Sequence, residues 1–443
     1  MAATFIFIFF FISLLTAVYL DISINYPLLL GLACFTLLAL SRGFSLPAIG
    51  FMIKNSFQKA LVVIKIFILI GIITAVWRAC GTISFIVYYA TAFMNTHFFM
   101  LSAFLLSCLV SFLLGTSFGT VGTIGVVLIV LAKSGSVDSN VAAGAIIAGA
   151  YFGDRCSPMS SSANLVASLT ATDLYTNIKN MLKTTALPFF LSLIAYAVLS
   201  GMYPLEFHGN QLEEEITHSY NIGLITLFPA IIILLCAAFR VNVKLSMILS
   251  IVSGILIGVY VQHIPFLHML TYMATGYRTD NVGFFSGIIQ GGGLYSMANV
   301  SLIVLISSAY SGIFKGMGLL REIELLCEKL SQKAGIYPAA ALTSVASAAF
   351  SCNQTLGILL THQIINILYE KRRMNNYILA ADLENTIVLL SALIPWNIAG
   401  AVPAATLGAD AGFIPYAFYL YLVPLTNYFT RNYILITSRQ SKG

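Results

Sequence analysis

Between Gly153 and Asn164 the chain sets Asp154, Arg155, Ser157, Pro158, Ser160, Ser161, Ser162 and Asn164 inside an otherwise apolar stretch. Residues 141–152 before it and Leu165-Val166-Ala167 after it would sit comfortably in hydrocarbon. A charged pair, a proline and four serines are not tolerated there unless they face protein or a water-filled cavity. The segment therefore offers a carboxylate, a guanidinium and short hydroxyl and amide oxygens in mid-span. Oxygen ligands of this kind suit Na+. A proline-broken helix adds backbone carbonyls at one half-helix end, which coordinate cations, and amides at the other, which favour anionic groups.

Three further stretches share this character: Gly115-Thr116-Ser117-Phe118-Gly119-Thr120, Ser351-Cys352-Asn353-Gln354-Thr355 and Ser391-Ala392-Leu393-Ile394-Pro395-Trp396-Asn397. Asp154 is the leading intramembrane carboxylate. Glu384, within Asp382-Leu383-Glu384-Asn385-Thr386, is the second. Either could bind a coupling cation or carry a proton; the plainer alternative is that Asp154 pairs with Arg155 and holds the break open. Arg155 could grip a substrate carboxylate bidentately or serve as a structural counter-ion. The candidate oxygen ligands are Thr116, Ser117, Ser157, Ser160, Ser161, Ser162 and Asn164 on one side, and Asn353, Gln354, Thr355, Asn385 and Asn397 on the other. Asp154, Ser161 and Asn164 form the candidate Na+ set. Trp396 either lines the site or packs beside Pro395. His362 could shuttle protons, although a lone helical histidine more often packs. Cys156 and Cys352 sit at breaks where small residues let backbones approach.

The elements that must position these residues are membrane spans. Of 443 residues, 59% are hydrophobic and 9% charged, against about a quarter charged in soluble domains. The formal charge of +6 does not point to nucleic acid, because Arg42, Lys54, Lys59, Lys179, Lys183, Arg240, Lys244, Arg321, Lys329, Lys333, Lys371, Arg372, Arg373 and Arg431 cluster in segments read as cytoplasmic. This is the positive-inside bias. Lys65 and Arg78 are expected to snorkel toward the interfaces. The seven cysteines are scattered without CxxC spacing, so neither a disulfide framework nor a zinc site is supported. The first apolar stretch lacks a basic n-region and a cleavage site and reads as a retained helix.

Spans of about 17–25 apolar residues fall near 4–20, 26–40 and 61–78. A short apolar piece follows at 79–94, then a hairpin-like pair at 98–114 and 119–132, a broken span over 141–170 and a helix at 184–203. Residues 204–219, carrying Glu206, Glu213, Glu214 and Glu215, read as an extracellular linker. A second half, 220–443, follows the same plan: helices near 220–239, 245–261 and 283–308, a weaker piece at 309–326, a hairpin-like pair at 337–350 and 356–369, a broken span at 377–407 and a final helix at 412–430. Basic residues place 41–60 and 171–183 in the cytoplasm, whereas 262–282 and 408–412 nearly lack them and belong outside, so the halves are inverted and both termini are cytoplasmic. Paired broken helices in inverted halves point to a secondary transporter. Gly291-Gly292-Gly293 lacks the following Lys-Ser/Thr of a phosphate loop and reads as a membrane hinge. Residues 321–329 alternate charge signs and read as a solvated helix.

On Gly115–Thr120, Ala145 through Asn164, Leu383-Glu384, Ile394–Asn397, Thr406-Leu407-Gly408 and Ile414-Pro415-Tyr416, the chain resembles the NhaC family of Na+/H+ antiporters. The resemblance implies an all-α polytopic fold of two inverted repeats with helical hairpins and broken transmembrane helices. It further implies a midplane site and cation-coupled transport in the cell membrane, with Na+ or H+ as coupling ion, no organic cofactor, and a homodimer as an oligomeric option. Relatives of the family include malate–lactate exchangers and amino-acid carriers. In the family pattern an Asp often stands where this chain has Ser161, Asn353 and Asn385. Neutral side chains cannot exchange a proton near neutral pH, so Asp154 and Glu384 remain for that task. The expectation is secondary active transport by alternating access: Na+/H+ antiport, or cation-coupled movement of an amino acid or small carboxylate. An ion channel and an enzyme are the less favoured readings.

Overall fold

The computed structural model describes residues 25–440 apart from 94–95, 207–208, 240, 242, 280–283, 318–331 and 334, together with scattered positions between 6 and 23. The described residues form an all-α polytopic membrane protein, with one isolated antiparallel bridge between Tyr277 and Gly291. The stretch 321–329 and residues 318–326 of the 309–326 piece lie outside the described residues.

In chain order the helices are α1 Asn25–Ser41, α2 Leu46–Ala79, α3 Thr82–Phe93, α4 Phe99–Leu114 and α5 Ser117–Ser134. These are followed by α6 Ser139–Cys156, α7 Ser161–Leu169, α8 Leu174–Met202 and α9 Gly209–Ser219. The second half holds α10 Phe228–Ala238, α11 Val243–Tyr260, α12 Phe266–Thr275 and α13 Ala298–Gly316. It continues with α14 Ile336–Ser351, α15 Gln354–Lys371, α16 Asn376–Asn385, α17 Ile398–Leu407 and α18 Phe418–Gln440.

Two boundaries differ from expectation. The span placed at 61–78 starts at Leu46, so residues read as a cytoplasmic segment are helical. Ser45 caps the helix through the Ala48 amide and Pro47 stands in its first turn, both strong start signals. At 34 residues, α2 runs about 51 Å at 1.5 Å per residue, well beyond a bilayer core of about 30 Å. The acidic linker also has structure. Its amides at Leu205 and Glu206 donate to the Thr96 and Gly135 carbonyls, Leu205 is buried, and α9 follows.

The polar breaks fall between α4 and α5, α6 and α7, α14 and α15, and α16 and α17. Each has a local cause. Gly115 ends α4 in the left-handed region (φ 67°), and Thr116, extended at φ −151°, ψ 129°, caps α5. Cys352 and Asn353 repeat the pair before α15, at φ 50° and at φ −146°, ψ 129°. Pro158 and Pro395 each follow an extended residue, Ser157 or Ile394, and three residues later Ser160 or Asn397 caps the next half-helix. At the second break Asn376–Leu393 and Ile398–Leu407 meet at 51°.

Helix α6 runs through the centre of the molecule, and nearly every residue from Val141 to Cys156 is buried. It lies bare against α4: a Cβ on Gly153 would stand 2.0 Å from the Ser111 carbonyl carbon, and one on Gly149 2.5 Å from the Phe104 oxygen. Small residues permit such backbone contact between membrane helices, and the Ser111 hydroxyl donates to the Ala150 carbonyl across it. An aromatic cluster of Phe104, Phe152, Phe189, Tyr196 and Tyr419 closes one flank of α6.

Candidate functional site

Each hairpin tip is seated on the break of its own half. In the first half a Cβ on Gly115 would meet Met159 at 2.5 Å, and the Ser157 hydroxyl donates to Phe112 O at 2.6 Å. In the second half Asn397 Nδ2 donates to Ala348 O at 2.7 Å, Trp396 Nε1 to Ala349 O at 3.0 Å and the Ile398 amide to Cys352 O at 3.0 Å. The two halves meet through α6. The Tyr151 hydroxyl reaches the Ala399 carbonyl at 2.7 Å, and Gln354, the first residue of α15, donates from Nε2 to Asp154 Oδ2 at 3.0 Å. The same Gln354 nitrogen also donates to Val388 O at 3.0 Å. Asp154 is 4% exposed, and the amide and hydroxyl of Ser117 interact with its carboxylate. Asp154, Ser117 and Gln354 thus come together from three elements.

The serines of the first break have a different part. The hydroxyls of Ser160 and Ser162 (2.6 Å) donate to the Asp154 carbonyl, and Ser160 Oγ also accepts from the Ala163 amide at 3.1 Å. Those groups, with Ser157, satisfy backbone that a broken helix leaves open. Thr116, Asn353 and Asn397 likewise cap helices α5, α15 and α17. Ser161 and Asn164 are exposed rather than gathered at the carboxylate. Ser161 lines a cavity of about 250 Å³ with Gly115, Thr116, Gly119 and Lys244, while Asn164 Nδ2 turns back to Ser160 O at 2.6 Å. Thr355 is exposed and His362 half-buried on α15. Trp396 is buried with its indole N–H spent on Ala349.

Arg155 is fully buried. One terminal nitrogen donates to the hydroxyls of Thr185 and Tyr419 (3.0 Å); the other donates to Thr184 Oγ1 (2.9 Å), Met181 O (3.4 Å) and Asn385 Oδ1. It ties α6 to α8, α16 and α18. Glu384 is 1% exposed, and neither carboxylate oxygen has a hydrogen-bond partner. The charged groups acting on it are Arg155 and Asp154. An unpartnered buried carboxylate is costly and marks a place where something else binds or titrates.

Sequence reasoning missed Asp382. It is fully buried, accepts from the Tyr369 hydroxyl, and pairs with Arg431 at 2.8 Å; the Arg431 guanidinium lies 5.1 Å from the centre of the Tyr337 ring. Arg431, counted among the cytoplasmic charges, is buried against this partner. An Arg immediately after the last apolar run was the available signal, since a charge at the end of a span calls for a named counter-ion.

Residues 149–429 match the model of the Na+/H+ antiporter family, a range that begins within α6 and takes in both proline breaks. The chain belongs to that family. It is 29% identical over 368 residues to the Na+/H+ antiporter NhaC of Alkalihalophilus pseudofirmus, covering 82% of this chain and 79% of the relative. It is 25% identical to the malate-2H+/Na+-lactate antiporter of Bacillus subtilis, covering 90% and 87%. With the arginine/ornithine antiporter ArcD of Halobacterium salinarum it shares 27% identity, covering 92% and 86%. Family membership makes the chain an integral membrane protein and a secondary antiporter, and the buried carboxylates Asp154, Asp382 and Glu384 all fall inside the matched range.

Proposed function

We propose that this antiporter couples Na+ and H+ at Asp154, with Glu384 as the second exchanging carboxylate. The observation that carries the reading is the Asp154–Gln354 contact. A buried carboxylate on the broken helix of one half is held by an amide on the hairpin of the other, and Glu384 lies near it without donors of its own. A protonated Asp154 donates where the charged form only accepts. Cation and proton therefore compete for the same oxygens, and each outcome changes the bond that joins the halves. Such a bistable contact suits alternating access. In this reading residues 1–203 and 220–443 are inverted repeats joined by an extracellular linker, the termini are cytoplasmic, and no organic cofactor takes part.

The test is a Na+ jump across proteoliposomes holding the purified protein and an internal pH dye. Na+-driven alkalinisation or acidification that Asp154→Asn removes supports the reading. No pH response in the wild type, with uptake of labelled amino acid or dicarboxylate, overturns it in favour of a second reading. That alternative, cation-coupled antiport of an organic solute, is supported by neutral Ser161, Asn353 and Asn385 where carboxylates would serve ion exchange, and by relatives named for malate, lactate, arginine and ornithine.

A further inference from the structure

Away from the central carboxylates a second cavity, of about 190 Å³, opens where the last turn of α2, the end of α5, the Gln290–Gly292 turn and the end of α17 meet. Two cations line it, Arg78 and Lys133. They act on each other electrostatically, and no carboxylate among the described residues pairs with either. Arg78 Nε is buried and without a hydrogen-bond partner, while one terminal nitrogen makes a single long contact, 3.4 Å, to Thr74 O. Arg78 thus does not simply reach for an interface, as expected of it; it stands in the cavity wall.

Both cations lie at helix C-termini, whose carbonyls carry about half an elementary charge. That partial charge does not neutralise a guanidinium and an ammonium together. Holding two uncompensated like charges in one half-buried wall is costly, and bare backbone stands beside each of them. Gly291, Gly292 and Gly293 all have positive φ, at 118°, 75° and 80°. A Cβ on Gly292 would meet Arg78 Nη1 at 3.0 Å, and one on Gly408 would meet Lys133 Nζ at 2.9 Å. Bare backbone leaves room for each charged end. The remaining wall is mixed: Thr74, Gln290, Ser296 and Thr406 offer polar groups, and Ile129, Val130, Ile288 and Met297 apolar ones.

We infer that this cavity is a binding site for a small carboxylate anion, gripped at its charged end by Arg78 and Lys133 and flanked at its other end by Ile129, Val130, Ile288 and Met297. The guanidinium fork matches a carboxylate, and the four apolar side chains in the mixed wall give a short organic anion contacts that a fully hydrated inorganic one would lack. The inference does not depend on the assignment of Asp154.

The test follows thermal unfolding of the purified full-length protein in detergent, at fixed Na+ and pH, during titration with propionate, inorganic phosphate or anionic phospholipid. Propionate is expected to raise the midpoint saturably. Lys133→Gln and Arg78→Lys should each weaken its apparent affinity about tenfold or more, and Asp154→Asn should leave it unchanged. Arg78→Lys retains the charge, so its loss of affinity reads the fork geometry in a folded protein. Three outcomes overturn the site: no propionate effect, equal propionate affinity in wild type and both basic-residue variants, or loss with Asp154→Asn alone. Stabilisation by phosphate or by anionic lipid without propionate also overturns it, pointing to an inorganic or headgroup anion.

Discussion

At Ser157–Ser160 and at Ile394–Asn397 the chain interrupts a helix with nearly the same backbone angles and a proline in the same place. The first break has Asp154 and Arg155 in the turn before it, whereas the four positions 391–394 before Pro395 carry no charge. The side chains accordingly do opposite things. In the second half Trp396 and Asn397 bond back to their own hairpin and seal the break. In the first, Asp154 and Arg155 reach away from it, to Gln354 and to Asn385 and Tyr419. One backbone device thus serves as a fixed clasp in one half and as the base of a charged, cross-half contact in the other.

That contrast can be broken by substitution. The largest effect is expected from Asp154→Asn, which keeps the shape and removes the charge: Na+-driven pH change in proteoliposomes should fall at least about 10–100-fold, the range seen when only an outer-shell partner of an ion ligand is lost. If Asp154→Asn were tolerated and Glu384→Gln abolished transport, the active carboxylate would belong to the second half and the comparison would invert.

Next in size is Arg155→Gln. It strips the ties from α6 to α8, α16 and α18 and leaves Glu384 without its nearest cation, so unfolding should lose about 3–5 kcal/mol. A shift in thermal midpoint no larger than that of a surface substitution would show that the guanidinium is not structural. Asn397→Ala should cost about 1–2 kcal/mol, because it removes the α17 cap and the side-chain tie to the Ala348 carbonyl of α14, which keeps only the Cys352 amide as donor. Ser160→Ala should cost less, since Ser162 still donates to the Asp154 carbonyl. Equal costs in denaturant titrations would erase the distinction between sealed and open breaks.

The smallest effect lies outside the membrane at Asp173, which caps α8. The hydroxyl and amide of Thr176, at 2.7 and 2.8 Å, hold this carboxyl below its usual range. A carboxyl depressed in the folded state stabilises at pH above its unfolded value and loses that contribution as pH falls through the folded one. Asp173→Ala should therefore lower the thermal midpoint slightly at neutral pH, and the difference from wild type should vanish in acid.

Much of this architecture was legible from residues alone. Proline after an apolar run, and the polar runs Gly115–Thr120 and Ser351–Thr355 between apolar ones, are local signals, and each fell where a helix ends. The roles of the polar residues were less legible. Ser157, Ser160 and Ser162 look like ion ligands in a list of oxygens, yet their hydroxyls go to carbonyls at Phe112 and Asp154. Nothing in their own neighbourhood announces the Phe112 carbonyl, which belongs to another helix. Asp382 and Arg431 were hidden for a similar reason, being partners across 49 residues of chain with no shared pattern.

By itself, then, the sequence determined that this is a polytopic helical membrane protein with four polar interruptions and two intramembrane carboxylates worth pursuing. Those properties follow from apolar run length and from backbone preferences that act over a few residues. Only the tertiary structure decided which of the oxygens are consumed by capping and which remain for a ligand, that Asp154 answers to Gln354 while Glu384 has no donor, and that Arg78 and Lys133 share a cavity. Hydrogen-bond satisfaction in a medium without water is a property of whole helices packed together, and no stretch of the chain contains it alone.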